Sequence, residues 1–186
     1  MNMTTSELCD RAKLDDEARK LAQPEMPLRT FVAELSRAGR VREAMNSLVQ
    51  VLPKSEAIAW GLDSIRRVDV ALIHRGGPEA IERIEAWLAE PNEERRRAAK
   101  TAADQAGLVT PPGCLAFAVF MSGGSMAPAE APVTPEPPPD VCGRMVAGAM
   151  SLAVALEPRV TQERLRAFVE TGLRRADHLK IWENGG

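Results

Sequence analysis

Four residues, Ser122-Gly123-Gly124-Ser125, stand between an apolar run and a proline-rich segment. Because glycine adopts backbone conformations that other residues avoid, successive N–H groups of such a stretch can point at one anion. The stretch lacks the lysine and the downstream Ser or Thr of a phosphate-binding P-loop, and it follows a helical pattern where a P-loop follows a strand. A helix cap with a sharp turn is therefore the favoured interpretation, and an anion-binding turn is the alternative.

The proline segment, residues 122–139, has prolines at positions 128, 132, 135, 137, 138 and 139. The P-x-x-P spacing that proline-recognition domains bind occurs at Pro132, Pro135 and Pro138. A long connection without helical or strand pattern is uncommon in a compact protein unless it packs or binds. Since Met126, Val133 and the alanines can make apolar contacts, we expect a strap that packs across the helices. An exposed partner-binding motif is the alternative.

Side chains that could anchor a partner or a ligand are few. Trp60 and Trp87 lie on different predicted helices, and a place in the core is the favoured interpretation over a binding hot spot for both. Arg144 opens a second apolar run and is a candidate polar contact for a ligand. The basic run Arg95-Arg96-Arg97 adjoins glutamates on a predicted helix, so we interpret it as a solvated helix face.

Groups suited to acid–base, nucleophilic or metal chemistry are scarce. The chain has no tyrosine, two histidines (His74 and His178) and three cysteines, and Cys9, Cys114 and Cys142 lie far apart and are predicted to be buried free thiols. We therefore predict no catalytic residue, no cofactor, no metal and no enzyme activity. A net charge of -2 gives no general attraction to nucleic acid, so neither nucleic acid nor membrane is an expected partner.

The N-terminal residues alternate charged with short apolar side chains and lack the apolar core of a secretory signal. The two longest apolar stretches, 114–121 and 145–156, fall short of the roughly 20 residues that a membrane helix needs. A cytoplasmic location is the resulting expectation.

Apolar residues recur at helical spacing, and no stretch alternates with period two for long. We therefore expect helices to position all of these residues. A glycine stop at Gly39, proline stops, and capping side chains at Asn92 and Thr110 divide the pattern. The predicted helices are 28–38, 41–52, 54–70, 78–90, 93–106, 111–121, 144–156 and 161–177. The helices at 111–121 and 144–156 are apolar all round, which predicts that both are central.

The predicted architecture is all-α, with eight or nine antiparallel helices in a single domain over residues 1–186. The helices form either an irregular bundle or a stack of helix pairs of the HEAT or tetratricopeptide kind, although no fixed-period repeat is present. Residues 1–13 and 180–186 are expected to fray.

Further motifs are Thr30-Phe31-Val32-Ala33-Glu34-Leu35, Ala38-Gly39-Arg40, Val51 to Trp60, Trp87 with Pro91 and Arg95, Phe120 to Pro128, and Val146-Ala147-Gly148. Together, over about residues 28–173, they resemble an uncharacterised bacterial family of small helical proteins. Members usually carry a second basic residue and two adjacent tryptophans where this chain has Ser55 and Ala59-Trp60, so a surface formed by those groups is altered here. The resemblance implies an association with bacterial secretion or virulence gene clusters, and it transfers no catalytic residue.

The function favoured by these features is a non-enzymatic protein-interaction module. Such an adaptor or accessory protein would present a helical groove or the proline segment to another protein. The alternative is a small-ligand sensor, in which the two apolar helices enclose a pocket that the proline segment closes and Arg144 contacts the ligand. Neither the partner nor the oligomeric state follows from the sequence.

Overall fold

The computed structural model describes residues 3–68, 77–128 and 130–183. These ranges contain helices and no strand, which confirms the predicted all-α class. Their α-helices are α1 Thr5–Arg11, α2 Asp16–Arg19, α3 Leu28–Arg37, α4 Val41–Val51, α5 Lys54–Ile65, α6 Gly77–Ala89, α7 Glu93–Ala106, α8 Pro111–Phe120, α9 Val141–Ala155 and α10 Thr161–His178. A short 3₁₀ helix, Pro158–Val160, precedes α10. Among the described residues, no single helix has both the length and the apolar content to cross a membrane.

The described ranges hold ten α-helices where eight or nine were predicted, because the N-terminal residues form α1 and α2. At the start of α1 the Thr4 hydroxyl accepts a hydrogen bond from the Glu7 N–H at 3.2 Å, and the Glu7 carboxylate accepts one from the Thr4 N–H at 2.7 Å. Asp15 caps α2 by accepting from the Ala18 N–H at 2.8 Å. These capping hydrogen bonds stabilise α1 and α2, which are too short to show apolar periodicity.

Packing contacts divide the described residues into two compact units. The first unit comprises residues 3–53 and 159–183, and the second comprises residues 54–68, 77–128 and 130–158. The single domain and the repeat-like stacking stay predictions.

In the first unit, α3, α4 and α10 pack against one another and α1 packs on α4. The large side chains that fill this core are Leu8, Phe31, Leu35, Met45, Leu48, Leu165 and Phe168. Burial of each such side chain contributes about 1.5–3 kcal/mol to folding. Gly39 follows α3 in the left-handed conformation, with a φ of +80°, so the predicted glycine stop of this helix is confirmed.

In the second unit, α8 is the central helix and contacts α5, α6, α7 and α9. Its residues are buried except Phe117, which is half-buried. Gly61 of α5 permits a close approach, because a Cβ there would lie 2.9 Å from both Leu115 Cδ1 and Val146 Cγ1. The helix α9 begins at Val141, earlier than predicted.

Two polar side chains begin helices of the second unit as predicted. Asn92 Oδ1 accepts from the Arg95 N–H at 2.9 Å at the start of α7. Thr110 Oγ1 accepts from the Gly113 N–H at 3.2 Å at the start of α8, and prolines occupy the first positions of that helix. Both residues satisfy N–H groups that lack partners within their helix.

The predicted burial of the three cysteines is confirmed. Burial raises the pKa of Cys114 to about 11 and that of Cys142 to about 12, since a thiolate is poorly solvated there. These two thiols therefore stay protonated near neutral pH. His178 is exposed, and His74 lies outside the described residues.

Candidate functional site

Arg96 of α7 is a buried cation, with only 5% of its side chain exposed. The prediction of a solvated face is therefore wrong at this position, while Arg95 and Arg97 on either side are partly exposed. The reason is that Arg96 faces the end of α8 and the turn after it, where backbone carbonyl groups lack helical partners.

The Arg96 guanidinium has partners for each of its nitrogen atoms. Nη1 donates to the Phe120 carbonyl oxygen, and Nη2 donates to the Ser125 carbonyl oxygen at 2.8 Å. Nε donates to Glu93 Oε2 at 2.7 Å. The guanidinium carbon also lies 4.6 Å from the centre of the Phe120 ring, a cation–π contact. One side chain thus joins α7, the end of α8 and the turn that follows.

Glu93, in the first turn of α7, supplies the charge that compensates the buried arginine. The hydrogen bonds from Arg96 lower the pKa of the Glu93 carboxyl to about 2 from its ordinary 4.5. Arg97 contributes in the same direction, because its Nε donates to Glu93 Oε1 at 2.6 Å. The ion pair between Glu93 and Arg96 is therefore maintained at physiological pH.

The turn Ser122-Gly123-Gly124-Ser125 fits closely around this ion pair. Gly124 has a φ of +67°, and a Cβ there would lie 3.0 Å from Arg96 Nε and from Glu93 Oε2. Lys54, at the start of α5, donates from Nζ to the Ser122 carbonyl oxygen at 2.8 Å. The turn thus presents the Ser125 carbonyl oxygen to Arg96 and Arg97 and the Ser122 carbonyl oxygen to Lys54. Anion binding by its N–H groups stays a prediction.

Three features hold the rest of the proline segment. Arg97 Nη2 donates to the Ala127 carbonyl oxygen at 3.0 Å. The Met126 N–H donates to the Pro135 carbonyl oxygen at 2.8 Å, which closes a loop within the segment. Pro137 is buried, just before α9. The backbone of the segment is therefore fixed at both of its ends.

Between these fixed points most of the described side chains are open to solvent. The P-x-x-P prolines, Pro132, Pro135 and Pro138, are all exposed. Val133 is 66% exposed, which is unusual for a large apolar side chain in this protein. The acidic side chains Glu130 and Glu136 are also exposed. The structure thus brings the three predicted prolines together with an apolar side chain on one accessible stretch.

The two candidate tryptophans lie elsewhere. Trp60 is 1% exposed and Trp87 is 7% exposed, so both are part of the core of the second unit. Trp182, to which sequence reasoning gave no role, is half-buried in the first unit, and its indole N–H donates to Asp177 Oδ1 at 2.7 Å. Its signal in the sequence is its position, as an aromatic residue next to Ile181 after the last predicted helix.

Trp182 lines a cleft of about 890 Å³ in the first unit, together with Met3, Met26 and Ile181. Arg29 also lines this cleft, but its guanidinium is occupied by two hydrogen bonds to the Asp177 carboxylate, at 2.8 and 3.0 Å. The cleft therefore combines apolar surface with polar side chains, and the Arg29 cation within it is already paired.

The predicted ligand pocket lay between α8 and α9, with Arg144 as its polar contact. Arg144 is in the first turn of α9, where its side chain is 44% exposed and its Nε lies 3.2 Å from Asp140 Oδ2. The two helices approach closely, since a Cβ at Gly148 would lie 3.3 Å from Cys114 Sγ, and that thiol donates to the Met145 carbonyl oxygen. Next to Gly148 and Cys114 there is therefore little room between α8 and α9.

Comparison with known proteins gives a family and no further relative. No curated protein and no solved structure matches the chain. The model of a family of unknown function, DUF6931, matches residues 31–176, a range that includes the Arg96 contacts and the whole proline segment. The match covers well over half of the chain and confirms the expected membership of an uncharacterised family. The protein therefore belongs to DUF6931.

Proposed function

We propose that the protein is a non-enzymatic interaction module, an adaptor or accessory protein whose docking element is the proline segment. The observation that carries this proposal is the exposure of Pro132, Val133 and Pro135 on a backbone that is held in place at both ends. A proline edge with an apolar side chain is the kind of surface that aromatic-lined grooves of other proteins recognise.

The fixed backbone supports this role energetically. Ordering the backbone of a free chain costs about 1–2 kcal/mol for each residue that a partner immobilises. Contacts to the Ala127 and Pro135 carbonyl groups already restrict this segment before any partner binds. More of the contact energy is then available for affinity. We therefore favour the proline segment over a helical groove as the docking element.

The alternative, a small-ligand sensor, has less support. It requires a pocket beneath the proline segment between α8 and α9. The short distance between Gly148 and Cys114 leaves little space for a ligand at that level, and Arg144 is paired near the surface. The close contacts favour the interaction module over the sensor.

We also propose a setting for this module. The protein is bacterial and cytoplasmic in this proposal, and its resemblance to an uncharacterised bacterial family supports a role with secretion or virulence gene products. The genes that neighbour the coding sequence are the direct test of this setting. Neighbours with no link to secretion or virulence would argue against it.

The docking role is tested by crosslinking in the source organism. A photo-crosslinking residue replaces the exposed Thr134 in the full chain, and mass spectrometry identifies the captured protein. We expect one specific partner, which is lost in the variants P132A/P135A and V133D because they remove the exposed proline and apolar contacts.

The matched control is V109D, which places the same charge on another exposed apolar residue of the second unit. This variant should capture the partner as well as the wild type does. Equal capture by P132A/P135A and the wild type would remove the proline segment from the proposed function.

A further inference from the structure

The cleft of about 890 Å³ in the first unit has the size of a small-molecule site, since such sites are clefts of about 300–1,000 Å³. Its described lining residues lie within residues 3–29 or at Ile181 and Trp182. All of these positions are outside residues 31–176, the range that the family model matches. A site in this cleft is therefore a feature of this chain in addition to the sequence pattern that DUF6931 describes.

The wall of the cleft between α2 and α3 is held by hydrogen bonds. The Met26 N–H donates to the Gln23 carbonyl oxygen at 3.2 Å. This bond closes a turn with Pro24 at its second position and Glu25, at a φ of +61°, at its third, as in a type II turn. The Met26 carbonyl oxygen accepts a hydrogen bond from the Thr5 hydroxyl of α1 at 2.9 Å. A ligand that enters the cleft therefore has little new backbone to order, which favours binding.

Both arginines that line the cleft already have acidic partners. Arg29 donates from Nε and Nη2 to the two carboxylate oxygens of Asp177, at 2.8 and 3.0 Å. Arg19 Nη1 lies 2.8 Å from Asp10 Oδ1, and its Nε and Nη2 donate to two backbone carbonyl oxygens. An anionic ligand must compete with Asp177 or Asp10 for its cation. Glu25 is exposed to solvent, where a charge attracts a ligand cation only weakly. The charges of the cleft therefore favour an uncharged ligand.

The apolar part of the lining suits an aromatic ligand. Trp182 is half-buried, and its indole N–H donates to Asp177 Oδ1 at 2.7 Å, which holds the ring in place. Aromatic rings pair with one another by offset stacking or by edge-to-face contact. Met3 and Met26 are also half-buried and line the same cleft. Their thioether groups make favourable contacts with aromatic rings and adapt to the shape of a ligand.

From the volume, the paired charges and the apolar lining we infer that the cleft binds an uncharged aromatic small molecule. The ring of this ligand stacks on Trp182, and the side chains of Met3 and Met26 contact it. The inference concerns the first unit only. It does not depend on the proposed docking role of the proline segment, so the two can fail separately.

The test compares two probes of nearly the same shape. N-Phenylnaphthylamine is uncharged, whereas anilinonaphthalene sulfonate carries an additional sulfonate group. Each probe is titrated into the full chain, and its dissociation constant is measured from the rise in probe fluorescence. Trp182→Ala should weaken binding of the uncharged probe about tenfold, because it removes the aromatic contact. Met26→Gln should also weaken it. Val109→Ala changes an exposed apolar residue outside the cleft and should leave the affinity unchanged.

Asp177→Asn tests the role of the paired charges. Asparagine keeps an oxygen that can accept from Trp182 and Arg29, but it removes the carboxylate charge. We expect this variant to bind the sulfonate probe about fivefold more tightly, since the exposed Arg29 cation is no longer neutralised. Its affinity for the uncharged probe should equal that of the wild type. High salt should reduce the gain in affinity for the sulfonate probe.

Three results would overturn this inference. They are no binding of the uncharged probe to the wild type, equal binding of that probe to the wild type and Trp182→Ala, and an affinity for the sulfonate probe that Asp177→Asn leaves unchanged. Circular dichroism checks that each variant is folded. If Trp182→Ala is unfolded, wild-type affinity in Met26→Gln overturns the inference instead.

Discussion

A single arginine organises the turn from which the proline segment starts. Arg96 contacts two backbone carbonyl groups of different segments and a carboxylate of its own helix. An arginine suits this position because its planar guanidinium offers five donors in fixed directions, whereas a lysine offers one mobile charge. Loss of the guanidinium would leave the Phe120 carbonyl group without this donor in a buried site, at a cost of about 1–3 kcal/mol.

The close fit around Arg96 makes a prediction for Gly124. Gly124→Ala should lower the free energy of unfolding by about 1–2 kcal/mol, because a Cβ is strained in the left-handed conformation and this one also crowds Arg96 and Glu93. Urea denaturation measures the change. The adjacent Gly123 is the control, since a Cβ there would meet no atom within 4 Å. Equal losses in Gly123→Ala and Gly124→Ala would show that the fit around the ion pair is unimportant.

At the residue scale, the sequence predicts which side chains are special only in part. The glycine pair marks a turn, but nothing in the spacing separates Arg96 from Arg95 and Arg97. Glutamate and arginine three residues apart form solvated pairs on most helix surfaces. The burial of Arg96 depends on where the end of α8 lies against α7, which is a tertiary contact that the sequence pattern does not contain.

At the scale of elements, the first turn of α7 connects helix stability with pH. The Glu93 carboxyl has a pKa of about 2 in the folded protein against an ordinary 4.5. Because the folded-state pKa is lowered, this carboxylate contributes stability that is fully present above the unfolded value and is lost as the pH falls through about 2. The stabilising form is the ionised one, paired with Arg96.

The lowered pKa of Glu93 gives a prediction for Glu93→Gln. The difference in unfolding free energy between wild type and Glu93→Gln should be constant above pH 4.5 and should shrink as the pH falls toward 2. Urea denaturation at a series of pH values measures it. Glu94→Gln is the control, because Glu94 is exposed in the same helical turn. A difference for Glu93→Gln that does not change with pH would contradict the proposed ion pair.

The helices themselves are largely predictable from caps and apolar spacing. Asn92 and Thr110 begin helices where expected, because their side chains satisfy free N–H groups locally. The short helices α1 and α2 are missed, since seven and four residues show no apolar period. In the proline segment, the P-x-x-P spacing identifies Pro132, Pro135 and Pro138 as candidate contact residues. The exposure of those prolines depends on the contacts that Arg97 and Met126 make with the segment, which the spacing of the prolines does not indicate.

At the scale of the whole molecule, the folded core includes residues that lie outside the range matched by the family model. The match to DUF6931 begins at residue 31, yet α1 and α2 lie before it. Leu8 and Ala18, one on each of these helices, are fully buried. The helix α1 packs on α4, which lies within the matched range. The N-terminal helices of this chain therefore complete the core of the first unit.

This arrangement predicts that α1 contributes to global stability and does not fray. Leu8→Ala should lower the free energy of unfolding by about 2–5 kcal/mol, since it leaves a cavity at a fully buried position. Leu108→Ala is the matched control, because Leu108 is 46% exposed and the change there should stay within about 0.5 kcal/mol. Chemical denaturation measures both variants. If Leu8→Ala costs no more than Leu108→Ala, α1 is dispensable, and the expectation of a frayed N-terminus describes the protein better than its packing on α4.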